Sequence, residues 1–338
     1  MPTTIEQKKP KLVDGMGRHI INLRISVTDR CNFRCTYCMP ADNVEFMDRD
    51  KLLTFEEITR IANIVSSLGI HRLRLTGGEP LMRKDLHVLI GMLSKVEGID
   101  DIAMTTNAFF LKDQARRLRE AGLQRLNISL DALDPEKFKH VNRRDCLQQV
   151  LDGLAEASKV GYKAIKINAV AMRNFSESEI MRLIELGRSD GFEIRFIEFM
   201  PLDADGQWDN DQVLSGQTIR RVLEDQIGPL VPLASEDPSQ PATDYAFADG
   251  VGTIGFISPV TEPFCHRCNR LRLTAEGQLR NCLFSTEEWD ARQVMRGGGT
   301  DEELAELVRA SIGAKKAGHG INSDEFVKPQ RAMYQIGG

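Results

Sequence analysis

Between residues 21 and 200, six short strand-like runs alternate with helix-periodic segments, and this rhythm constrains the fold more than any other feature. The runs are 21–28, 71–76, 100–105, 124–130, 163–170 and 193–199. Strands separated by helices pair in parallel, because each crossover returns the chain to the same end of the sheet. Thr54 with Glu57 and Ser176 with Glu179 read as capping boxes, and Asp134–Pro135 reads as a helix start. Within the runs, polar and apolar residues alternate. Leu23, Ile25 and Val27 oppose Asn22, Arg24, Ser26 and Thr28, and Leu73 and Leu75 oppose Arg72, Arg74 and Thr76. Leu126, Ile128 and Leu130 oppose Asn127, Ser129 and Asp131, while Ile165 and Ile167 oppose Lys166 and Asn168. A doubly wound sheet is covered on both faces, so its strands should be apolar throughout. One apolar and one polar, cationic face instead predict an α/β fold: a partial (incomplete) β/α barrel of about six β/α units whose lumen holds a large polar ligand. Thr105, Ser129, Asp131, Asn168 and Met200 fall at or near the C-terminal strand ends, where barrel active sites lie.

After residue 205 the texture changes. Residues 234–244 form a Pro/Ser/Asp-rich loop, followed by short strand-like runs at Tyr245–Phe247, Thr253–Ile257 and Leu271–Leu273, the last turning at Glu276–Gly277. Ser285 with Glu288, and Thr300 with Glu303, read as late helix starts. The expected organisation is an N-terminal tail (1–14), a barrel core (15–235), a small C-terminal α+β extension (236–325) and a tail (326–338) ending in Gly337 and Gly338. The 338 residues include 44 Lys and Arg against 49 Asp and Glu, a net charge of −5. That balance argues against a chain that coats nucleic acid or an anionic membrane. No apolar run approaches the ~18 residues of a membrane span, and the first residues lack a secretory pattern. The expectation is a cytoplasmic protein.

Six of the seven cysteines fall into two groups of three. Cys31, Cys35 and Cys38 follow the first strand with spacing C-x3-C-x2-C. Cys265, Cys268 and Cys282 follow C-x2-C-x13-C. Clustered thiols in a reducing compartment point to metal. Three thiolates leave one iron of a [4Fe–4S] cluster open, whereas structural zinc closes with four ligands. At the first group, zinc and a redox C-x-x-C (Cys35 and Cys38) are the competing readings. At the second, Cys146 or His266 would have to complete a zinc site. Cys146 reads better as a small buried hydrophobe.

The stretch CNFRCTYCMP, with Tyr37 in its aromatic position, resembles the signature of the radical S-adenosylmethionine (SAM) superfamily. In that superfamily SAM chelates the open iron, is cleaved by one electron, and yields a 5′-deoxyadenosyl radical that abstracts hydrogen. Thr76-Gly77-Gly78-Glu79-Pro80 resembles the loop that holds the SAM amino group. With the second cysteine group, the resemblance narrows to the GTP 3′,8-cyclase family of molybdenum cofactor biosynthesis. LRISVTDRCNFRCTYCMP, LRLTGGEPLMR, TTN, NISLDA, IKIN, RFIEFM, FCHRCNRLRLT and the terminal IGG carry it over nearly the whole chain. Ala108 and Phe109 depart from the Gly-Leu more usual after TTN, and the loop after Pro40 is short.

The resemblance implies a lyase that cyclises GTP to (8S)-3′,8-cyclo-7,8-dihydroguanosine 5′-triphosphate, the radical taking the ribose 3′ hydrogen. It implies two [4Fe–4S] clusters, on Cys31, Cys35 and Cys38 and on Cys265, Cys268 and Cys282, the second binding the guanine base. It places SAM contacts at Tyr37, Gly78, Ser129 and Met200. GTP contacts fall at Arg24, Arg74, Thr105, Lys166, Arg270, Leu271 and Arg272, with catalytic roles at Arg24, Arg270, Arg272, Gly337 and Gly338. Expected partners are a flavodoxin- or ferredoxin-like electron donor and, through the product, a cyclic pyranopterin monophosphate synthase; the chain itself is a monomer or homodimer. Independently, several cations aimed into one lumen of an acidic protein need an anion to offset their desolvation. The runner-up readings are another radical SAM enzyme with an auxiliary cluster and a zinc-stabilised binding module. The second would need a basic face and aromatic platforms, and only 6% of the residues are aromatic.

Overall fold

The computed structural model of the chain describes residues 12–235, 237 and 239–337. Residues 1–11 of the expected N-terminal tail, and Gly338, lie outside the described residues. The six strands form where the alternation predicts them: β1 (Asn22–Ser26), β2 (Arg72–Thr76), β3 (Asp101–Thr106), β4 (Arg125–Ser129), β5 (Ala164–Ala171) and β6 (Glu193–Glu198). Neighbouring strands pair in parallel in sequence order. The helices that return the chain are α1 (Phe55–Ser67), α2 (Leu86–Leu93), α3 (Leu111–Glu120), α4 (Pro135–Asn142), α5 (Leu147–Val160) and α6 (Ile180–Asp190). They cover the apolar strand faces: Leu23, Ile25, Leu73, Leu75, Leu126 and Ile128 all lie in the main core.

The C-terminal half is threaded onto both edges of this arc. After α7 (Gly216–Gln226) come β7 (Leu230–Pro232), β8 (Thr243–Phe247) and β9 (Thr253–Ile257), and β9 adds in parallel to β6. At the other edge β10 (Arg270–Leu273) adds in parallel to β1, extended antiparallel by β11 (Gln278–Arg280) and β12 (Trp289–Asp290). The resulting twelve-stranded sheet stays open, in the order β12-β11-β10-β1-β2-β3-β4-β5-β6-β9-β8-β7. Its eight central strands are parallel, which makes it a partial barrel. The last helices are α8 (Ala291–Arg296), α9 (Asp301–Gly313) and α10 (Met333–Ile336).

Capping follows the sequence in part. Thr54 and Glu57 form their reciprocal box at α1, as do Thr300 and Glu303 at α9, and Asp134 caps α4. Two expectations are corrected. Ser176 and Glu179 form no box, because the Glu179 carboxylate instead accepts the Leu133 and Asp134 N–H groups, at 2.8 and 3.1 Å. Ser285 starts no helix: Glu288 is taken by Arg280 and Arg331, and α8 begins later, capped by Asp290. No helix among the described residues is long and apolar enough to cross a membrane.

Candidate functional site

The polar sheet face encloses a cavity of about 1050 Å³. Cys31, Cys35, Cys38, Tyr37, Gly78, Ser129 and Met200 line it, together with Arg24, Arg74, Thr105, Lys166, Arg270 and Arg272. At the C-terminal ends of β1 and β2, the cysteine loop and the Gly77–Gly78 turn are pressed backbone to backbone. Gly78 N–H donates to Thr28 O and Glu79 N–H to Arg30 O, both at 2.7 Å. A Cβ on Gly78 would lie 2.4 Å from Arg30 O, so this glycine is required by the cysteine loop itself. Glu79 is buried and accepts from Thr106 Oγ1 (2.7 Å), Asn107 N (2.8 Å) and Leu81 N (3.0 Å). Burial nonetheless pushes its carboxyl up to about 7. Across the cavity, Tyr37 Oη donates to Asp131 Oδ2 at 2.8 Å, and burial raises the Asp131 carboxyl to about 6.

The three thiols are free and lie within electrostatic reach of one another. N–H groups of Phe33 (3.4 Å) and Asn107 (3.9 Å) face Cys31 Sγ, the Tyr334 N–H faces Cys38, and the Cys35 thiol donates to Asn142 Oδ1 at 3.1 Å. Burial pushes Cys31 up to about 12 and Cys35 higher than a free thiol, so a positive metal centre is what would make these sulfurs thiolates.

Cations occupy the sheet floor in rows set by strand register. Arg272 on β10, Arg24 on β1 and Arg74 on β2 are directly paired neighbours, one layer from Arg270, Asn22 and Arg72. Of the other lining cations, Arg125 pairs with Asp101, Arg72 with Asp237, Lys166 with Glu193, and Arg195 with both Glu193 and Asp244, while Lys163 is exposed. Arg24, Arg74, Arg270 and Arg272 have no salt-bridge partner among the described residues. Burial and mutual repulsion lower Arg24 well below its usual range, Arg74 to about 9 and Arg272 to about 10. Nε and Nη2 of Arg270 are buried without a partner, its guanidinium 5.0 Å from the Phe264 ring centroid. Arg272 Nη1 donates to Gly337 O at 2.8 Å. Gly337 adopts φ +80°, and a Cβ there would lie 2.7 Å from Ser26 Cβ and Thr76 Oγ1. Leu271, between two of these arginines, points its side chain into the helix-facing core and away from the cavity.

The second cysteine group lines an adjoining cavity of about 160 Å³ with Arg18, Asn281, Lys315 and His319. Burial raises the Cys265 thiol; at Cys268 it is outweighed by Arg270 and Lys315, which bring that thiol down to about 6. Helix α10 spans the two groups. Tyr334 packs with Met39 against Cys31 and Cys38, and Ile336 packs with Leu202 and Phe284 against Met200 and Cys282.

The donor set of each group, three free cysteines lining one cavity, fits the three-thiolate ligation of a four-iron cluster. In each group the sulfurs feel one another's charge, yet no three His, Cys, Asp or Glu side chains among the described residues converge on a single ion. Cys146, the residue before α5, is buried in the main core, as expected of a small hydrophobe. Sequence reasoning missed the cavity-facing Arg195, whose position follows from extending the alternation along β6, and Glu79, quoted in its turn without a role. Nothing in the sequence pointed to Lys315.

Residues 25–187 match the radical SAM superfamily and residues 192–321 the family described as Molybdenum Cofactor Synthesis C. A GTP 3′,8-cyclase of Rhodopirellula baltica is 49% identical over 330 residues, covering 97% of this chain and 92% of that protein. A GTP 3′,8-cyclase of Rhodococcus opacus is 45% identical over 97% of this chain and 93% of its own length. Among solved structures, Streptococcus suis SuiB bound to S-adenosylmethionine has a TM-score of 0.63 at 14% identity, over 92% of this chain and 77% of that one, a likeness of fold alone. With near-half identity over almost all of both chains, and an open barrel that gathers the matching motifs around one cavity, the chain belongs to the GTP 3′,8-cyclase family of radical SAM enzymes.

Proposed function

We propose that this enzyme cyclises GTP by joining ribose C3′ to guanine C8, with SAM as the radical source, in molybdenum cofactor biosynthesis. The carrying observation is the row Arg272–Arg24–Arg74 and the neighbouring Arg270, unneutralised cations in a cavity that has three free cysteines at its rim. Guanidinium groups stay charged in such a site and match phosphate oxygens in pairs. When bound, the cluster held by Cys31, Cys35 and Cys38 supplies one-electron cleavage of SAM and thereby hydrogen abstraction. Gly78 and Glu79 offer the SAM ammonium a backbone and a carboxylate partner, and Tyr37, Ser129 and Met200 border the rest of SAM. Arg24, Arg74, Thr105 and Lys166 bind the triphosphate end. Lys166 would exchange part of its pairing with Glu193 for phosphate. Arg272 holds the tail at Gly337 over the site, where a side chain would collide with Ser26 and Thr76.

A second [4Fe–4S] cluster on Cys265, Cys268 and Cys282 would orient the guanine, with Arg270 and Arg272 between it and the main cavity. Reduction calls for a small one-electron donor of the flavodoxin or ferredoxin kind, and the reaction is cytoplasmic. The test is anaerobic incubation of reduced enzyme with SAM and GTP. 5′-Deoxyadenosine and cyclised nucleotide should form together, with roughly eight irons per chain. SAM cleavage that ignores GTP would overturn the assignment of substrate, and about four irons plus zinc would overturn the second cluster.

A further inference from the structure

Lys315 lies just beyond the C-terminus of α9 and is 5% exposed. Its Nζ donates to Arg270 O at 3.1 Å and also to Asn281 O. Those two carbonyls belong to the residue two positions after Cys268 and the residue immediately before Cys282, so one ammonium ties together the backbone that presents two of the three sulfurs. A second tie reaches the third cysteine. Arg18 Nη1 donates to Cys265 O at 2.6 Å and its Nη2 to Lys316 O at 2.7 Å. The two cations differ in their electrostatics. Arg18 is neutralised by the buried carboxylate of Asp14, at 2.5 Å. Lys315 has only carbonyls as partners and no carboxylate within salt-bridge distance among the described residues. Carbonyls satisfy its hydrogen bonds but leave its charge uncompensated, which is costly for a buried ammonium unless an anion lies close by. The anion available is the three-sulfur set of the small cavity that Lys315 lines.

We propose that Lys315 is a positioning residue of the second cysteine site and the built-in countercharge of the cluster held there. This rests on the two-cluster reading above. A four-iron cluster with three thiolates is net anionic and becomes more so on reduction, so a buried positive charge beside it favours the reduced form. Lys315 thereby holds the potential of the second cluster higher than its sulfur ligands alone would. It does so from behind the sulfurs, without touching GTP.

The test compares full-length Lys315→Gln and Lys315→Arg with wild type after anaerobic reconstitution. Gln can still donate to a carbonyl but lacks the charge, and Arg keeps the charge. Iron content, circular dichroism and paramagnetic resonance during redox titration are read for both clusters. The expected result is a negative shift in the midpoint of the second cluster in Lys315→Gln, near wild-type behaviour in Lys315→Arg, and no change at the first cluster. An unchanged midpoint in Lys315→Gln, or equal shifts in both variants, would overturn the countercharge. Should Lys315→Gln lose the second cluster, retention of that cluster by Lys315→Arg supports the proposal, and its loss from both variants overturns it. A wild-type chain with about four irons and one signal would instead overturn the two-cluster reading, and the inference with it.

Discussion

At the scale of single residues, Glu79 shows how a site stores a cost that its ligand removes. Three donors favour the carboxylate, but burial outweighs them and holds the carboxyl at about 7 against an ordinary 4.5. The folded chain therefore binds this proton more tightly than the unfolded chain. Its contribution to stability is complete below about pH 4.5 and is lost as pH rises through about 7, on the order of 2–4 kcal/mol in all. Between about pH 5 and pH 8, ligand-free wild type should lose stability relative to Glu79→Gln in chemical denaturation. Saturating SAM, whose ammonium would offset the carboxylate, should reduce that difference. Parallel pH curves for the two chains would show that Glu79 is already ionised when empty. Ala108 carries another local cost. It sits at φ +60° and is fully buried, and its N–H donates to Thr106 Oγ1. Relief of the left-handed conformation by Ala108→Gly is worth about 1–2 kcal/mol, offset by a lost buried methyl group of about 0.8 kcal/mol and added chain entropy. Ala108→Gly should thus melt within about 1 kcal/mol of wild type, while the β-branched Ala108→Val should cost upwards of about 3 kcal/mol by strain and overpacking. The sequence flags this position only as a departure from Gly-Leu, because a single sequence carries no φ.

At the scale of elements, legibility depends on periodicity. The barrel strands are readable from the strand–helix rhythm, and in β1, β2, β4 and β5 also from a period-two alternation whose polar set supplies Arg24, Arg74, Asn127, Ser129, Lys166 and Asn168 to the cavity lining. The alternation alone therefore aims Arg24 and Arg74 into the lumen. The attachment of β9 and β10 is not readable. Four to five residues such as RLRL or TIGFI are compatible with any sheet edge, and only tertiary packing chooses the partner. The failed Ser176–Glu179 box has the same origin, since a distant pair of N–H groups at Leu133 and Asp134 outcompetes the local one. Turns that join elements carry the sharpest structural demand. In Gly78→Ala the new methyl would meet Asp29 O and Arg30 O, both backbone atoms, at 2.5 and 2.4 Å. The turn and the cysteine loop must then part, at a cost of about 1–3 kcal/mol. On the two-cluster proposal, the first cluster should be lost or poorly retained after reconstitution while the second is kept, read as a halving of iron per chain. Full iron content would mean that the loop can retreat without moving its sulfurs.

At the scale of the molecule, the sheet gathers like charges that the fold does not neutralise. An acidic chain offsets its peripheral cations with carboxylates, yet leaves Arg24, Arg74, Arg270 and Arg272 facing one another across β10, β1 and β2. Their repulsion destabilises the empty enzyme and becomes attraction when a polyanion enters, so stability and affinity must move in opposite directions on removing one of them. Arg24 decides the point, because it sits between Arg272 and Arg74 and is lowered by both. Without ligand, Arg24→Met should melt at a higher temperature than wild type in scanning calorimetry. Inorganic tripolyphosphate at about a hundred times its dissociation constant should stabilise wild type by about 2.7 kcal/mol, a rise of a few degrees. It should do little for Arg24→Met, and added salt should shrink the wild-type rise. A variant that melts lower when empty would mean that Arg24 is held by favourable contacts. An undiminished response to tripolyphosphate would place the anion elsewhere in the cavity.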